Sequence, residues 1–340
     1  MDLAGKKVWQ VVAGDNRRQY DDICLHYQVM MIGPGERGPF DEAAYAGVKA
    51  RNVIRRFYSG PRAGDAVLLR LGTRDVLAVG EVAGDDTVHI EEFGDIDGWR
   101  LQHARRVRWV EASKAFGGGT FRRRFGRVKE PKVLEWLGAF PYLADSRSLT
   151  DLPRDTGSLG DEELAALLVQ KAMPVERVAQ LLTTMGSLRP LIEWYRGQVE
   201  TKSGRPSEHE TITYLVVPLL FSLGWSQKTL AIEWNNVDIA LLHEVAHGAA
   251  TEICGVEVKS LGRSVFAPQN QATDHAQRRD WDRFIITDGA RYACFKKQGQ
   301  QYRPSSYLNI TRLRRNYPVY DQRAGRQCGG AADSLLSMAR

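Results

Sequence analysis

The sequence predicts a multidomain α+β protein, with a β-rich N-terminal domain, a helical linker and a C-terminal α/β domain. Three observations predict this fold class. Compact β-branched and aromatic runs such as KVWQVVAG and DAVLLRLG occupy the first part of the chain. A polar stretch with Pro and Gly but no periodicity follows, from Ala144 to Asp161. Beyond it, helical and strand-like patterns alternate, as they do in α/β domains.

The N-terminal domain is predicted over residues 1–143 as a small β-barrel of mixed strands. The runs VLAVGEVAG and RRVRWVEA add to its strands, and Gly, Asp or Ser closes the runs. One helix is predicted within DEAAYAGVKARNVIRRFY, because Ala44, Val48, Val53 and Phe57 recur at near-helical spacing.

Residues 144–200 are predicted to form a linker and a helical connector. DEELAALLVQKA begins with acidic residues that suit a helix N-terminus, and Pro174 begins the next helical pattern.

The C-terminal domain, residues 201–340, has the predicted order helix, strand, strand, helix, strand. These elements correspond to EHETITYLVVPLLFSLG, VDIALL, EICGVEVKS, PQNQATDHAQRRD and RFIITDG.

Composition limits the class of protein and its surroundings. A net charge of +6 and a pI near 9.1 are compatible with an anionic partner. The four cysteines form no CxxC pair, so neither a zinc ribbon nor a disulfide framework is indicated. The longest apolar run, Tyr214 to Trp225, is much shorter than the roughly 20 residues that a membrane span requires. Since the N-terminus also has no apolar signal core, we expect a cytoplasmic protein without a membrane partner.

The motif HEVAH, from His243 to His247, matches the HExxH signature of zinc proteases. That chemistry needs both histidines on one helix and a third ligand farther along the chain. Here the motif lies between two predicted strands, and no histidine follows Gly248 at the spacing of the extended motif. A connection between strands is therefore the favoured interpretation, and a zinc protease remains a minor alternative.

Carboxylates near this motif suggest a different metal chemistry. GVEVKS contains Glu257 and Lys259 at i and i+2, which places both side chains on the same face of a strand. An adjacent strand could bring Asp238 to the same metal ion. Mg²⁺ prefers such oxygen ligands, and a nearby cation helps when a phosphodiester is hydrolysed. An E-x-K pair alone is a weak motif, so its context decides its interpretation.

That context resembles the PD-(D/E)XK nucleases, and particularly the nuclease domain of type I restriction subunits. The resemblance begins in a helix with Glu208, Thr211, a Pro-Leu-Leu and a Leu-Gly-Trp. It continues in order over roughly residues 207–313, through Asp238, Glu257, Lys259, Gln271 and the segment FIITDGARYACF. His275 departs from the pattern, since the family often has Tyr after the glutamine.

The resemblance implies a role for each matching residue. Asp238 and Glu257 would coordinate Mg²⁺, for which Mn²⁺ is expected to substitute, and the Val258 carbonyl is a possible further ligand. Lys259 would orient or help to deprotonate the attacking water. Glu208 would bind metal directly or through water, with Glu210 as the competing choice. Gln271 would position Lys259 or the phosphate.

The N-terminal domain resembles the EVE and YTH branch of the PUA-like superfamily over about residues 7–110. The matching features are Trp9 on the first strand, the helix before Phe57, the turn at Gly64 and Asp65, and the run VLAVGEV. The resemblance implies a pocket for a flipped, often methylated base. Its candidate aromatic residues are Trp9, Tyr27, Trp99 and Trp109. Asp21 or Asp22 could read a base edge, although a turn is the favoured interpretation of both. Core packing is the competing explanation for the aromatic residues.

A basic segment follows the predicted strands. Residues 105–132 contain ten Lys or Arg and two acidic residues. Such residues can neutralise phosphates, and the interleaved phenylalanines can stack on bases. The predicted DNA contacts are Arg122, Arg123, Arg124, Arg127 and Lys129. A solvated basic loop is the competing interpretation.

Together these features predict a modification-dependent restriction endonuclease that flips a 5-methyl- or 5-hydroxymethylcytosine and hydrolyses double-stranded DNA with Mg²⁺. One active site cuts one strand, so we expect a homodimer during double-strand cleavage. The alternative from another class is a non-catalytic module that reads modified DNA or RNA.

Overall fold

The computed structural model describes residues 1–15, 17–141, 149–154, 157–200, 204–243 and 251–340. These residues form two compact units, Met1–Asp155 and Thr156–Arg340. Among the described residues, no helix is long and apolar enough to cross a membrane.

The first unit is dominated by strands. They are β1 (Val8–Val12), β2 (Gly14–Asp15), β3 (Arg18–Gln19), β4 (Val29–Ile32), β5 (Ala66–Leu71), β6 (Asp75–Val82), β7 (Val88–His89), β8 (His103–Ala115) and β9 (Phe125–Arg127). The α-helices of this unit are α1 (Asp21–His26), α2 (Arg51–Ser59) and α3 (Pro131–Ala139).

A curled half-barrel sheet organises the first unit. Its strand order is β4-β8-β6-β5-β1-β9, and β7 pairs with β8. Strand β1 runs parallel to β5 and antiparallel to β9. Apolar side chains of β1, β5 and β6 pack with α3 in a buried cluster that includes Val8, Leu68, Val79, Val133 and Leu137.

Helix α2 is shorter than the sequence pattern predicts. It begins at Arg51, so Ala44 and Val48 lie in the preceding turns. Gly47 has a φ of 78°, a left-handed conformation that interrupts a helix. The Asp41 carboxylate also accepts hydrogen bonds from the backbone of residues 43 and 44, which stabilises a turn instead.

The second unit combines one sheet with helices. The strands are β10 (Leu230–Trp234), β11 (Val237–His243), β12 (Thr251–Val258), β13 (Arg283–Thr287), β14 (Arg291–Gln298) and β15 (Gln301–Asn309). The α-helices are α4 (Asp161–Gln170), α5 (Val175–Glu200), α6 (Glu208–Thr211), α7 (Val217–Ser222), α8 (Gln269–Arg278), α9 (Asp321–Ala324) and α10 (Ala331–Met338).

The six strands of this sheet lie in sequence order. Only β12 and β13 pair in parallel, and α8 lies in the connection between them. The other neighbours are antiparallel. Parallel neighbours need a crossover of this kind, which brings the carboxyl ends of β12 and β13 to the same edge of the sheet.

Helices α4 and α5, which the sequence suggested as a connector, share the core of the second unit. Leu164, Leu181 and Ile192 are buried in one cluster with Val256 and Ile285 of the sheet. Burial of such side chains stabilises the fold by roughly 1.5–3 kcal/mol each. These helices are therefore integral to the unit that carries the E-x-K pair.

A π-helical turn, Ile212–Val216, joins α6 to α7. It lies directly before Pro218, which has no backbone N–H to donate to the preceding turn. A π-helical turn changes the angular relation between residues on either side of it. The N-terminal residues of α6 therefore point differently from what a regular helix over the same sequence would give.

Candidate functional site

Strand pairing brings Asp238 and Glu257 together. In the β11–β12 ladder Ile239 lies opposite Val256, and the next step of this register places Asp238 opposite Glu257. Residues directly opposite in an antiparallel pair share a face. The Asp238 Oδ2 accepts a hydrogen bond of 2.6 Å from the backbone N–H of Val258. The sequence prediction that an adjacent strand delivers Asp238 thus has a structural counterpart.

Lys259, which directly follows β12, interacts electrostatically with three acidic residues. Its Nζ lies 2.7 Å from Glu257 Oε1 and 3.9 Å from Glu208 Oε1. Burial disfavours the charged ammonium, but the hydrogen bond to Glu257 and the charges of Glu257, Glu208 and Asp238 outweigh it and raise the pKa of Lys259. Its backbone N–H donates to Thr287 O at 2.8 Å, which anchors it to β13.

Glu208 and Glu210 have different surroundings. Glu210 belongs to a capping box, in which its carboxylate accepts from Ser207 N at 2.7 Å and its N–H donates to Ser207 Oγ at 3.1 Å. The hydrogen bonds with the Ser207 backbone and side chain lower the pKa of Glu210. Since Glu210 is engaged in the cap, Glu208 is the carboxylate that lies near Lys259.

The remaining candidates differ in position. Gln271 is exposed on α8, and within the described part of the chain its side chain has no hydrogen bond to Lys259 or Glu257. Val258 is buried at the end of β12, beside Asp238. Glu257 is only 6% exposed, so its carboxylate depends strongly on Lys259 for compensation.

A buried ion pair that the sequence analysis did not single out shapes the same edge of the sheet. Asp288 and Arg291, which are 1% and 2% exposed, are linked by a 2.6 Å contact. Asp288 also accepts from Gly262 N at 2.8 Å, which fixes the loop after β12 against the β13–β14 turn. The available signal was the Asp-Gly pair in FIITDGAR, which predicts a turn but not its burial.

The donor set fits Mg²⁺ by its chemistry. Asp238 and Glu257 supply carboxylate oxygens, and Mg²⁺ in proteins commonly takes one or two carboxylates and keeps several waters. Among the described residues, no group of three or more His, Cys, Asp or Glu side chains is arranged to hold an ion.

The HEVAH motif is described only in part. His243 is the last residue of β11, a strand and not a helix. Residues 244–250, and His247 with them, lie outside the described residues.

The first unit contains a cavity of about 630 Å³. Its wall is mainly apolar and aromatic, with arginines that are exposed to solvent. The lining residues are Val11, Val12, Tyr20, Met31, Ile32, Gly33, Pro34, Ala50, Val53, Arg56, Gly98, Trp99, Arg100, Leu101, Arg123, Arg124 and Phe125. Its size falls within the range of roughly 300–1,000 Å³ that is usual for small-molecule sites.

Of the aromatic residues predicted for a base pocket, Trp99 lines this cavity. Its ring meets Tyr20 edge-on, with centroids 5.2 Å apart. Tyr20 and Phe125 also line the cavity, and no local sequence pattern indicates this, because their position at the wall depends on long-range folding. Tyr20 lies at the end of a polar turn, and Phe125 follows three arginines.

The other predicted pocket residues lie outside the cavity lining. Trp9 is buried behind Phe125, on which it stacks, and its indole donates to Asp65 at 2.9 Å. Trp109 is buried and donates to Val29 O at 3.2 Å. Tyr27 is 5% exposed, and Asp21 lies in the first turn of α1. Trp9 therefore supports the wall of the cavity, whereas Trp109 and Tyr27 belong to the core.

The predicted DNA-contacting residues are all exposed. Arg123 and Arg124 line the cavity, whereas Arg122, Arg127 and Lys129 do not. The buried Arg70 donates a hydrogen bond to Arg123 O, and Val12 N donates to Arg124 O at 2.9 Å. Burial lowers the pKa of Arg70 to about 10. The backbone of the arginine run is thus fixed to the half-barrel.

Comparison with protein-family models, with curated proteins and with solved structures finds no match to the chain. The class that the fold defines is a two-unit mixed α/β protein, with a half-barrel and a second sheet covered by helices.

Proposed function

We propose that the protein is a Mg²⁺-dependent endonuclease that acts on DNA carrying a modified base. The observation that carries this proposal is the approach of Lys259 to Glu257 and Glu208, beside the Asp238 carboxylate at one edge of the sheet. Cation and carboxylates of this kind suit phosphodiester hydrolysis, since they place opposite charges where a metal and a phosphate must meet.

In this proposal each residue has a defined task. Asp238 and Glu257 would hold Mg²⁺, which would supply Lewis-acid polarisation of the phosphate and a lowered pKa of the attacking water. The Lys259 ammonium orients the attacking water and stabilises negative charge on the phosphate. The water oxygen bonds to phosphorus and releases one proton to solvent, the bond to the leaving sugar oxygen breaks, and that oxygen takes up a proton from solvent. Glu208 positions Lys259 through its charge.

The cavity of the first unit would take the modified base after it flips from the duplex. Trp99 offers a ring surface that the buried Tyr20 supports edge-on, and the apolar wall removes a methyl group from water. Stacking and apolar contacts of this kind offset the few kcal/mol that base flipping costs. Arg123 and Arg124 would neutralise the flanking phosphates.

The test compares plasmids that carry cytosine, 5-methylcytosine or 5-hydroxymethylcytosine, incubated with Mg²⁺ or with EDTA. The wild-type protein should cut modified plasmids only when Mg²⁺ is present. The Lys259→Met variant should bind modified duplexes in Ca²⁺ as the wild type does and fail to cut them. Lys297→Met is the matched control, because Lys297 also pairs with a carboxylate, at 2.6 Å from Asp280, but lies away from the E-x-K pair.

A non-catalytic reader of modified nucleic acid is the second candidate. The observation that favours it is the direct pairing of Glu257 with Lys259, which occupies a carboxylate oxygen that a metal would need. Binding of modified duplexes without cleavage of any plasmid would select this candidate. Equal cleavage of all three plasmids would instead refute the role of the cavity.

A further inference from the structure

The hairpin between β10 and β11 has a two-residue tip, since Trp234 pairs with Val237. Asn235 and Asn236 have φ values of 51° and 63°, as in the type I′ turn that such hairpins favour, and the preceding Glu233 has a φ of 54°. Asparagine tolerates this left-handed region better than other residues with a side chain. Trp234 is 43% exposed. The surrounding structure gives this turn further support.

That support comes from Glu252 and Arg279. Glu252 Oε1 accepts from Trp234 Nε1 at 2.9 Å and from Asn235 Nδ2 at 3.2 Å. Arg279 Nε lies 2.9 Å from Glu252 Oε2, and Arg279 also donates to the Asn235 carbonyl.

The tip is linked to the neighbourhoods of Asp238 and Glu208, two residues of the proposed nuclease site. Asn236 precedes Asp238 by two residues on the chain. Glu233 Oε1 lies 2.5 Å from His209 Nε2, and His209 is the neighbour of Glu208 on α6. The tip therefore lies beside the residues that are proposed to act on the scissile phosphate.

A cleft of about 660 Å³ opens at the tip. It is lined by Asn235, Asn236, Thr251, Glu252, His275, Arg278 and Arg279. Asn236 is exposed, and its amide has no hydrogen-bond partner among the residues that the structure describes. Arg278 is also exposed, and Arg279 compensates the Glu252 charge. The lining thus offers a free amide and cationic groups.

This chemistry matches the edge of a duplex. Asparagine amides pair with adenine N6 and N7, and arginines contact phosphates or guanine. An exposed indole can insert beside a base step. We propose that the tip enters a groove of duplex DNA beside the cut, where Asn236 reads a base edge and Arg278 holds a phosphate. The tip then sets the base preference at the cleavage position, a role that rests on the proposed nuclease function.

Asn236→Gly tests this role with little risk to folding, because glycine adopts a φ of 63° readily. Ala172→Gly is the matched control, since Ala172 is exposed and has a φ of 68° in the α4–α5 connection. The substrate is a library of duplexes with one modified base and randomised flanks. The ends produced in Mg²⁺ are sequenced, and binding is measured in Ca²⁺.

The wild type and Ala172→Gly should favour adenine at one position beside the cut. Asn236→Gly should lose this preference, which we expect to be about 5- to 150-fold for one bidentate contact. Its affinity for a modified duplex without adenine at that position should stay within about twofold, because the wild type makes no bidentate contact there. Asn236→Asp keeps the left-handed conformation, and its acceptor-only side chain should move the preference towards cytosine.

Three results separate the possible failures. If the wild type cuts modified DNA and Asn236→Gly and Asn236→Asp leave the same ends as the wild type, the reading role is refuted and the nuclease proposal stands. Cleavage by the wild type without any base preference refutes it as well. If the wild type cuts no DNA in Mg²⁺ or Mn²⁺, both proposals fail together.

Discussion

The pair formed by Glu257 and Lys259 should contribute measurably to the stability of the second unit. The perturbation is a double-mutant cycle of Glu257→Gln, Lys259→Met and the two combined. Each single substitution leaves one charge without its partner at a position where Glu257 is 6% exposed. The double variant removes both charges, so it should be more stable than the two single effects predict.

The magnitude follows from the geometry of the pair. At 2.7 Å the Coulomb attraction is about 6 kcal/mol for an effective dielectric constant of about 20. Desolvation opposes it, and the Lys259 side chain is still 23% exposed. Exposed pairs couple by less than about 1 kcal/mol, and breaking a buried pair costs roughly 3–5 kcal/mol. We therefore expect a coupling free energy of about 1–3 kcal/mol.

The assay is urea unfolding of the four proteins, followed by far-UV circular dichroism at pH 7.5. Because the pKa of Lys259 is raised in the folded protein, the charged Lys259 stabilises the fold fully below its unfolded-state pKa of about 10.4. This stabilisation is lost as the pH rises through the raised value. The coupling should therefore be the same at pH 7.5 and pH 8.5. A coupling within error of zero would refute the compensation of Glu257 by Lys259.

Three further predictions address the scaffold and the cavity. Gly255→Ala should lower the free energy of unfolding by about 1–3 kcal/mol, because the added Cβ would lie 2.2 Å from the buried Trp281 ring. Gly186→Ala, at an exposed position in a helix, should instead raise it, and equal unfolding free energies of the two variants in urea would contradict the packing. Burial, with a smaller effect of His89, lowers the pKa of His103 to about 4, so the free energy of unfolding should fall as the pH drops from about 6.5 to 4. An NMR titration in which His103 shows its usual pKa would contradict this. In a gel-shift assay, Trp99→Ala should weaken binding of a modified duplex by about 5- to 150-fold, as expected for the loss of one stacking platform. Trp194→Ala, which changes a tryptophan that is 57% exposed on α5, should leave binding unchanged in that assay.

Local patterns predicted the elements of the second unit better than its packing. Short apolar runs identified β11 and β12, and the β-branched run in RFIIT identified β13. The connector helices α4 and α5 were visible as helices, but their membership of the core depends on contacts of Leu164 and Leu181 with distant strands. In the first unit, the apolar spacing around Ala44 favoured a helix that Gly47 interrupts.

Contacts between candidate site residues could be predicted when the residues are close in the sequence, and not when they are far apart. Glu257 and Lys259 share a strand face by the period of two, so their proximity is local. The approach of Glu208 is not local, because it requires α6 to reach the end of β12. The choice between Glu208 and Glu210 was nevertheless encoded, since Ser207 and Glu210 have the spacing of a capping box. A cap engages the third residue of the helix and leaves the first free to turn outward, and Glu208 is that first residue.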